Sequence, residues 1–203
     1  ITYSFKFFNV ISLKKFKEMQ VYLPVDKIEQ DAELLKRRVV IFKRRLKSVV
    51  DEQNENYSSK DGVLFNKNKS IIIAYPAASK EVQYDIPDSV TVISEWAFAE
   101  SKKLNRVTIP DSVYEILEGA FCNCTLLDEI EIPDSVTKID DCAFRGCSNL
   151  EKIVIPDSVT EIGWGVFDGC EDKIVVYCNE GSEIQKYCRL VGVRETRMEK
   201  TEK

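Results

Sequence analysis

The sequence predicts an α/β solenoid, a stack of short coils with a parallel β ladder and short helical turns, preceded by a mainly α-helical N-terminal segment. Three observations predict it. Ile-Pro-Asp-Ser-Val occurs four times, starting at Ile86, Ile109, Ile132 and Ile155, a period of 23 residues without slippage. A fixed period of this size marks a repeat whose coil buries its apolar face only when a neighbour stacks on it. Ahead of the motif, apolar residues alternate with variable ones: Val107/Ile109, Ile130/Ile132 and Ile153/Ile155 against Arg106/Thr108, Glu129/Glu131 and Lys152/Val154. Period-two alternation marks a strand with one buried face, and one strand per coil stacks about 4.8 Å from the next. After the motif, Phe98, Phe121, Phe144 and Phe167 recur at the same period. Their spacing from Ile93 and Leu104 suits a short helical turn that points Phe into the core.

Taken in order, residues 1–60 form an N-terminal helical segment and linker. The first 23 are aromatic-rich, with Lys14, Lys15 and Lys17 among them, and read as a short strand or loop followed by a helix. After Pro24, Asp26 and Glu29 have capping-box spacing. Ile28, Leu35, Val39, Phe42, Leu46 and Val49 then make one apolar stripe on a helix of about six turns, residues 26–50. Acids precede bases along it, as the helix dipole favours. One reading is a basic amphipathic helix for a membrane surface, an acidic partner or RNA. The plainer one is a cap that closes the open end of the core. Residues 51–60 read as a linker.

Residues 61–193 form the solenoid with its lead-in and cap. The runs at 61–65 and 71–75 are two short strands, and residues 66–70 suit a hairpin loop between them. In each motif, proline ends strand pairing, and Asp and Ser hold the bend through their own backbone. The last copy reads as shortened by two residues, with Ile174 and Val176 in the strand core and Lys173 and Val175 facing out. Ser182 is the expected N-cap of a closing helix with Ile184, Tyr187, Cys188 and Val191 on one face, and Gly192 stops it. Residues 194–203 are read as a frayed polar tail.

Composition removes much chemistry. The chain has no histidine. Ser/His/Asp and Cys/His catalysis, imidazole metal sites and histidine pH switches are therefore absent. The charge is divided: residues 1–60 carry 13 Lys/Arg against 8 Asp/Glu, the remainder 16 against 26. An acidic repeat region is a poor surface for nucleic acid. No apolar run approaches the roughly 20 residues of a membrane helix.

Seven cysteines are present, of which Cys124, Cys147 and Cys170 share one column. They could form a metal or disulfide ladder. Stacked positions lie about 4.8 Å apart, longer than the ~3.8 Å between Cβ atoms of a disulfide, which favours reduced thiols filling the core. Cys178 and Cys188 could bridge across the C-terminal helix. Asp88, Asp111, Asp134 and Asp157 make an acidic column, but one Asp and one Ser per coil are too few ligands for calcium, and turn-holding is the default. No metal, cofactor or catalytic residue is expected.

Residues 132–163, IPDSVTKIDDCAFRGCSNLEKIVIPDSVTEIG, resemble the BspA-like class of bacterial leucine-rich repeats, as do the lead-in DGVLFNKNKSIIIAYP and the terminal VYCNEGSEIQKYC. The sequence departs from the family pattern at Ser94, Leu117 and Asp140, where glycine is usual, and at Ser101, where cysteine is. The resemblance implies a right-handed leucine-rich-repeat solenoid in a protein that is exported or surface-displayed. It also implies a non-enzymatic adhesion or protein-binding module, with a host or extracellular-matrix protein as partner. The alternative is an intracellular scaffold whose N-terminal helix docks a membrane surface or another protein. The candidate binding surface consists of the variable outward positions Arg106, Thr108, Glu129, Glu131, Lys152, Val154, Lys173 and Val175, with Trp96, Tyr114 and Trp164 as aromatic anchors on the turns.

Overall fold

The computed structural model describes residues 48–170 and 173–198. The helix expected over 26–50 lies outside this range up to residue 47. Residues 48–50 have no regular structure, and Val49 is exposed rather than part of an apolar stripe.

The lead-in is an antiparallel meander. β1 (Tyr57–Lys60) pairs with β2 (Val63–Asn66), which pairs with β3 (Ile71–Ala74). The hairpin expected between 61 and 75 is therefore present, but it gains a strand from the stretch read as linker. Tyr57–Lys60 carries no aliphatic residue, and backbone pairing holds it instead, with Ser58 Oγ donating to the Asn66 carbonyl at 2.9 Å.

From β3 onward each coil contributes two parallel strands, not one. β5 (Val92–Ile93), β7 (Glu115–Ile116), β9 (Lys138–Ile139) and β11 (Glu161–Ile162) extend the lead-in into a seven-stranded sheet of order β1-β2-β3-β5-β7-β9-β11. β4 (Gln83–Asp85), β6 (Arg106–Thr108), β8 (Glu129–Glu131), β10 (Lys152–Val154), β12 (Val175–Cys178) and β13 (Arg194–Arg197) form a six-stranded sheet of order β13-β12-β10-β8-β6-β4. Ile93, Ile116 and Ile139 of the first sheet share one buried cluster with Val107, Ile130 and Ile153 of the second, so the core lies between the two. Through it runs a file of rings. Successive centroids in Tyr75, Phe98, Phe121, Phe144, Phe167 and Tyr187 are 5.2, 5.0, 5.3, 6.2 and 6.1 Å apart. The phenylalanine column is core, as the sequence indicates.

The bend around each phenylalanine is not helical. The residue two before it has positive φ in all four coils (Trp96, Gly119, Cys142, Gly165), and so does the residue two after it (Glu100, Asn123, Gly146, Gly169). Alternate N–H groups consequently leave the coil. Trp96, Phe98 and Glu100 donate to the carbonyls of Glu118, Ala120 and Cys122 in the next coil, while Ala97, Ala99 and Ser101 close turns three residues back. An α-helix would direct every N–H along its own coil; here half of them bind coil to coil. Cys142, at φ 56, is strained by its Cβ where Gly119 and Gly165 are not. Cys142→Gly is expected to raise stability by about 0.5–1 kcal/mol in urea titration. An unchanged midpoint would show that the position carries no strain.

The Pro-Asp-Ser bend also differs in its bonding. Val90, Val113, Val136 and Val159 each close the turn by donating to the proline carbonyl. In three of the four copies serine reaches the preceding coil instead of its own backbone: Ser89 Oγ donates to the Lys69 carbonyl at 3.1 Å, Ser112 Oγ to Val90 at 2.7 Å and Ser135 Oγ to Val113 at 2.6 Å, whereas Ser158 Oγ is buried without a partner. The motif is a staple between coils as well as a turn.

The chain closes with α1 (Glu183–Val191), N-capped by Ser182 and ended by Gly192 at φ 77. It buries Ile184, Gln185 and Cys188, whereas Val191, expected inside, is 45% exposed. Tyr187 closes the ring file and its hydroxyl accepts the Val166 N–H at 3.0 Å. Arg194–Arg197, expected to fray, is strand β13, parallel to β12. Its inward Glu195 accepts from Gln185 and Arg189 of α1, each at 3.2 Å. That network holds a polar strand that has no hydrophobic pattern of its own.

Candidate functional site

The outward face of the six-stranded sheet is built by register. Two rows of side chains cross it. One contains Gln83, Arg106, Glu129, Lys152, Val175 and Arg194, and the other Asp85, Thr108, Glu131, Val154, Tyr177 and Thr196. Between the rows the central residues of β6, β8, β10 and β12 point into the core and are buried: Val107, Ile130, Ile153 and Val176 are at most 4% exposed. The outward residues are therefore free of any packing duty within the coil.

The register corrects the reading of the last copy. Val175 aligns with Lys152 and Tyr177 with Val154, so the period of 23 continues without a deletion. Lys173 lies outside the strand, just before it, and Ile174 does the job of Leu150, ending the bend inside the core. Tyr177 is the residue the sequence reading missed. The unbroken 23-residue step from Lys152 to Val175 would have revealed it.

Of the expected surface, Arg106, Thr108, Glu129, Glu131, Lys152, Val154 and Val175 do share this face. Trp96, Tyr114 and Trp164 do not: they flank the strands of the seven-stranded sheet. Trp164 is 73% exposed, while Trp96 is half-buried. The Trp96 ring occupies the space a Cβ at Gly119 would need, with Cζ3 at 2.6 Å from that position, so it is a packing residue of the neighbouring bend. Of the two neighbouring charge pairs in the first row, only Lys152–Glu129 closes among the described residues, at 2.7 Å. The Glu129 carboxylate holds the Lys152 ammonium above its usual pKa. Lys152 Nζ also lies 5.5 Å from the centroid of the Tyr177 ring. Such a pair keeps the lysine stem flat against the sheet.

The thiols sit elsewhere. Cys124, Cys147 and Cys170 are buried and donate to the carbonyls of Phe98, Phe121 and Phe144, one coil back, at 3.2, 3.1 and 3.1 Å. Ser101, in the same column, is 1% exposed, and its shorter Oγ finds no partner. No disulfide joins any of the seven cysteines, Cys178 and Cys188 included; Cys142 is half-buried and the other six are buried. Burial pushes the Cys188 thiol up to about 12 and raises that of Cys178. In an aromatic-disulfide titration near pH 8, Cys142 alone should react promptly with the native protein, and all seven thiols should react in denaturant. A thiol raised in the folded state favours folding fully below its ordinary value near 9.0, and that contribution is lost as pH rises from there to about 12. Prompt modification of several native thiols would contradict this packing. Among the described residues no group of three or more His, Cys, Asp and Glu side chains could hold a metal ion, and no helix is long and apolar enough to cross a membrane.

Two parallel ladders in constant register around one file of rings define a parallel β-solenoid repeat protein of about five turns. The chain belongs to the BspA type leucine-rich repeat family, whose model matches residues 77–189 in six copies. It is similar to a leucine-rich repeat protein from Eubacterium ventriosum, with TM-score 0.61 and 32% identity over 64% of this chain and 35% of that one. It is also similar to a leucine-rich cell surface protein from Faecalibacterium prausnitzii, with TM-score 0.51 and 28% identity over 66% of this chain and 42% of that one. The chain thus spans well under half the length of these relatives. No curated protein matches it.

Proposed function

We propose that this chain is a non-catalytic protein-binding module of adhesion type, displayed on a cell surface or exported, and that it binds through the outward face of its six-stranded sheet. One observation carries the reading: two rows of outward side chains that the core does not use lie on a rigid parallel frame, from Gln83 to Thr196. Preorganised side chains on strands lose little freedom on binding, which suits recognition. Family membership supports the class, since leucine-rich repeats commonly mediate protein interactions and are typically not enzymes. The description of the Faecalibacterium relative as a cell surface protein supports the location.

The test is selection of binders to the intact chain from a displayed random-peptide library, followed by competition with variants. Substitutions at Thr108, Glu131 and Val154 should weaken most selected peptides, while substitutions at Glu115, Lys138 and Glu161 of the other sheet should not. Binders indifferent to the first set would move the site off this face. Any truncation used alongside should begin no later than Ser48, whose N–H donates to the Gly62 carbonyl at 2.8 Å.

A further inference from the structure

The outward face is divided electrically. Its first half, β4, β6 and β8, presents the acids Asp85, Glu129 and Glu131 against the single base Arg106. The second half, β10, β12 and β13, presents Lys152, Val154, Val175, Tyr177, Arg194 and Thr196, and no acid. Glu195, the one acid in β13, faces inward and is held by Gln185 and Arg189. Arg194 is exposed and anchored through a 2.7 Å bond to the Lys173 carbonyl, which fixes a guanidinium at the edge of the face. Val154, Val175 and Tyr177 are half-buried, and they form an apolar floor between Lys152 and Arg194.

We propose that this C-terminal half of the face is the docking site for an acidic peptide segment of a partner protein, with Tyr177 as its central anchor. This rests on the reading of the sheet face as the binding surface. Tyrosine and arginine are the residue types that concentrate binding energy at interfaces, and here Tyr177 lies within the apolar strip and Arg194 at its edge. A segment that seats an apolar side chain on the Tyr177 ring brings its carboxylates beside Arg194 and beside Lys152, which then shares its ammonium between them and Glu129. A basic segment would meet both cations, and the first half of the sheet already supplies acids to repel a carboxylate placed there. The partition therefore sets a direction across the strands as well as a sign.

The probe is a fluorescein-labelled peptide of about ten residues in which glutamate and serine alternate around one leucine, with glutamine and lysine versions as controls. Anisotropy is read with the intact chain at low salt. The glutamate peptide should bind, and the glutamine and lysine versions should bind at least tenfold more weakly. Tyr177→Ala should weaken binding about fivefold or more without changing charge. Lys152→Gln with Arg194→Gln should weaken it about tenfold, while Lys103→Gln should leave it unchanged. If Tyr177→Ala unfolds the edge, Tyr177→Leu keeps the floor and should still lose the aromatic contribution. Equal affinity in all variants, or no binding of the glutamate peptide, overturns the proposal. If the glutamine peptide binds as tightly and still depends on Tyr177, the acidic class is overturned while the face itself stands as a binding surface.

Discussion

Phe121→Ala is expected to destabilise the chain by about 3–5 kcal/mol, the usual range for removing a buried aromatic side chain. Phe121 is fully buried and stacks between Phe98 at 5.0 Å and Phe144 at 5.3 Å, almost parallel to the latter at 1°. Neither neighbour can move into the void, because each has its own coil's bend bonded to the next. The melting temperature should fall on the order of 10 °C. The form of the transition should change too. Stability in a solenoid is a sum of coil and nearest-neighbour terms, so a defect at the centre weakens coupling between the two halves. A broadened or two-step unfolding curve is expected, with Phe121→Leu recovering most of the loss. A drop under about 1 kcal/mol would mean that the stack collapses around the gap and that the file of rings is not the main source of stability.

Gly163→Ala should cost about 2–3 kcal/mol for the opposite reason, overfilling. Gly163 has no left-handed φ, so the constraint is space. A Cβ there would strike the Asp141 backbone nitrogen and lie 2.5 Å from the Asp140 carbonyl carbon. These are backbone atoms and cannot rotate away. Asp141 is held further, since its Oδ1 accepts the Trp164 N–H at 2.7 Å and its own N–H donates to Asp140 Oδ1 at 2.9 Å. The same column holds Ser94, Leu117 and Asp140 in the earlier coils, so the requirement is local to the approach of this coil to its predecessor. An urea midpoint equal to that of the parent would show that the two coils are not so close.

Most of the frame can be read from residues. The four Ile-Pro-Asp-Ser-Val copies give the period, the alternation around Val107, Ile130 and Ile153 gives the six-stranded ladder, and Ser182 and Gly192 mark α1. What escapes has physical reasons. Val92–Ile93 and its counterparts are two-residue strands, too short to show a period. The left-handed positions do leave a trace, since Gly119 and Gly165 share one column and Asn123, Gly146 and Gly169 the other. Trp96, Cys142 and Glu100 occupy the same columns and hide it. β1 and β13 are polar strands held by partners, and a pattern of burial cannot announce them. For the candidate surface, the outward rows were legible as far as Val154. Tyr177 was lost because apolar Ile174 imitates the strand core two residues before Val176, which occupies that place.

The coil-to-coil bonds at the phenylalanine bends have a consequence for length. Each bend gives N–H groups to the coil after it and carbonyl groups to the coil before it, so every interior coil offers the same two edges as its neighbours. Nothing in such an arrangement specifies a number of coils. A duplicated block of one whole period, such as residues 109–131, would find acceptors on one side and donors on the other already in place, whereas a single inserted residue would set both ladders out of step. Gain or loss of whole units is thus the natural mode of variation for this molecule, and the reach of its outward face is adjustable in steps of one strand, about 4.8 Å each.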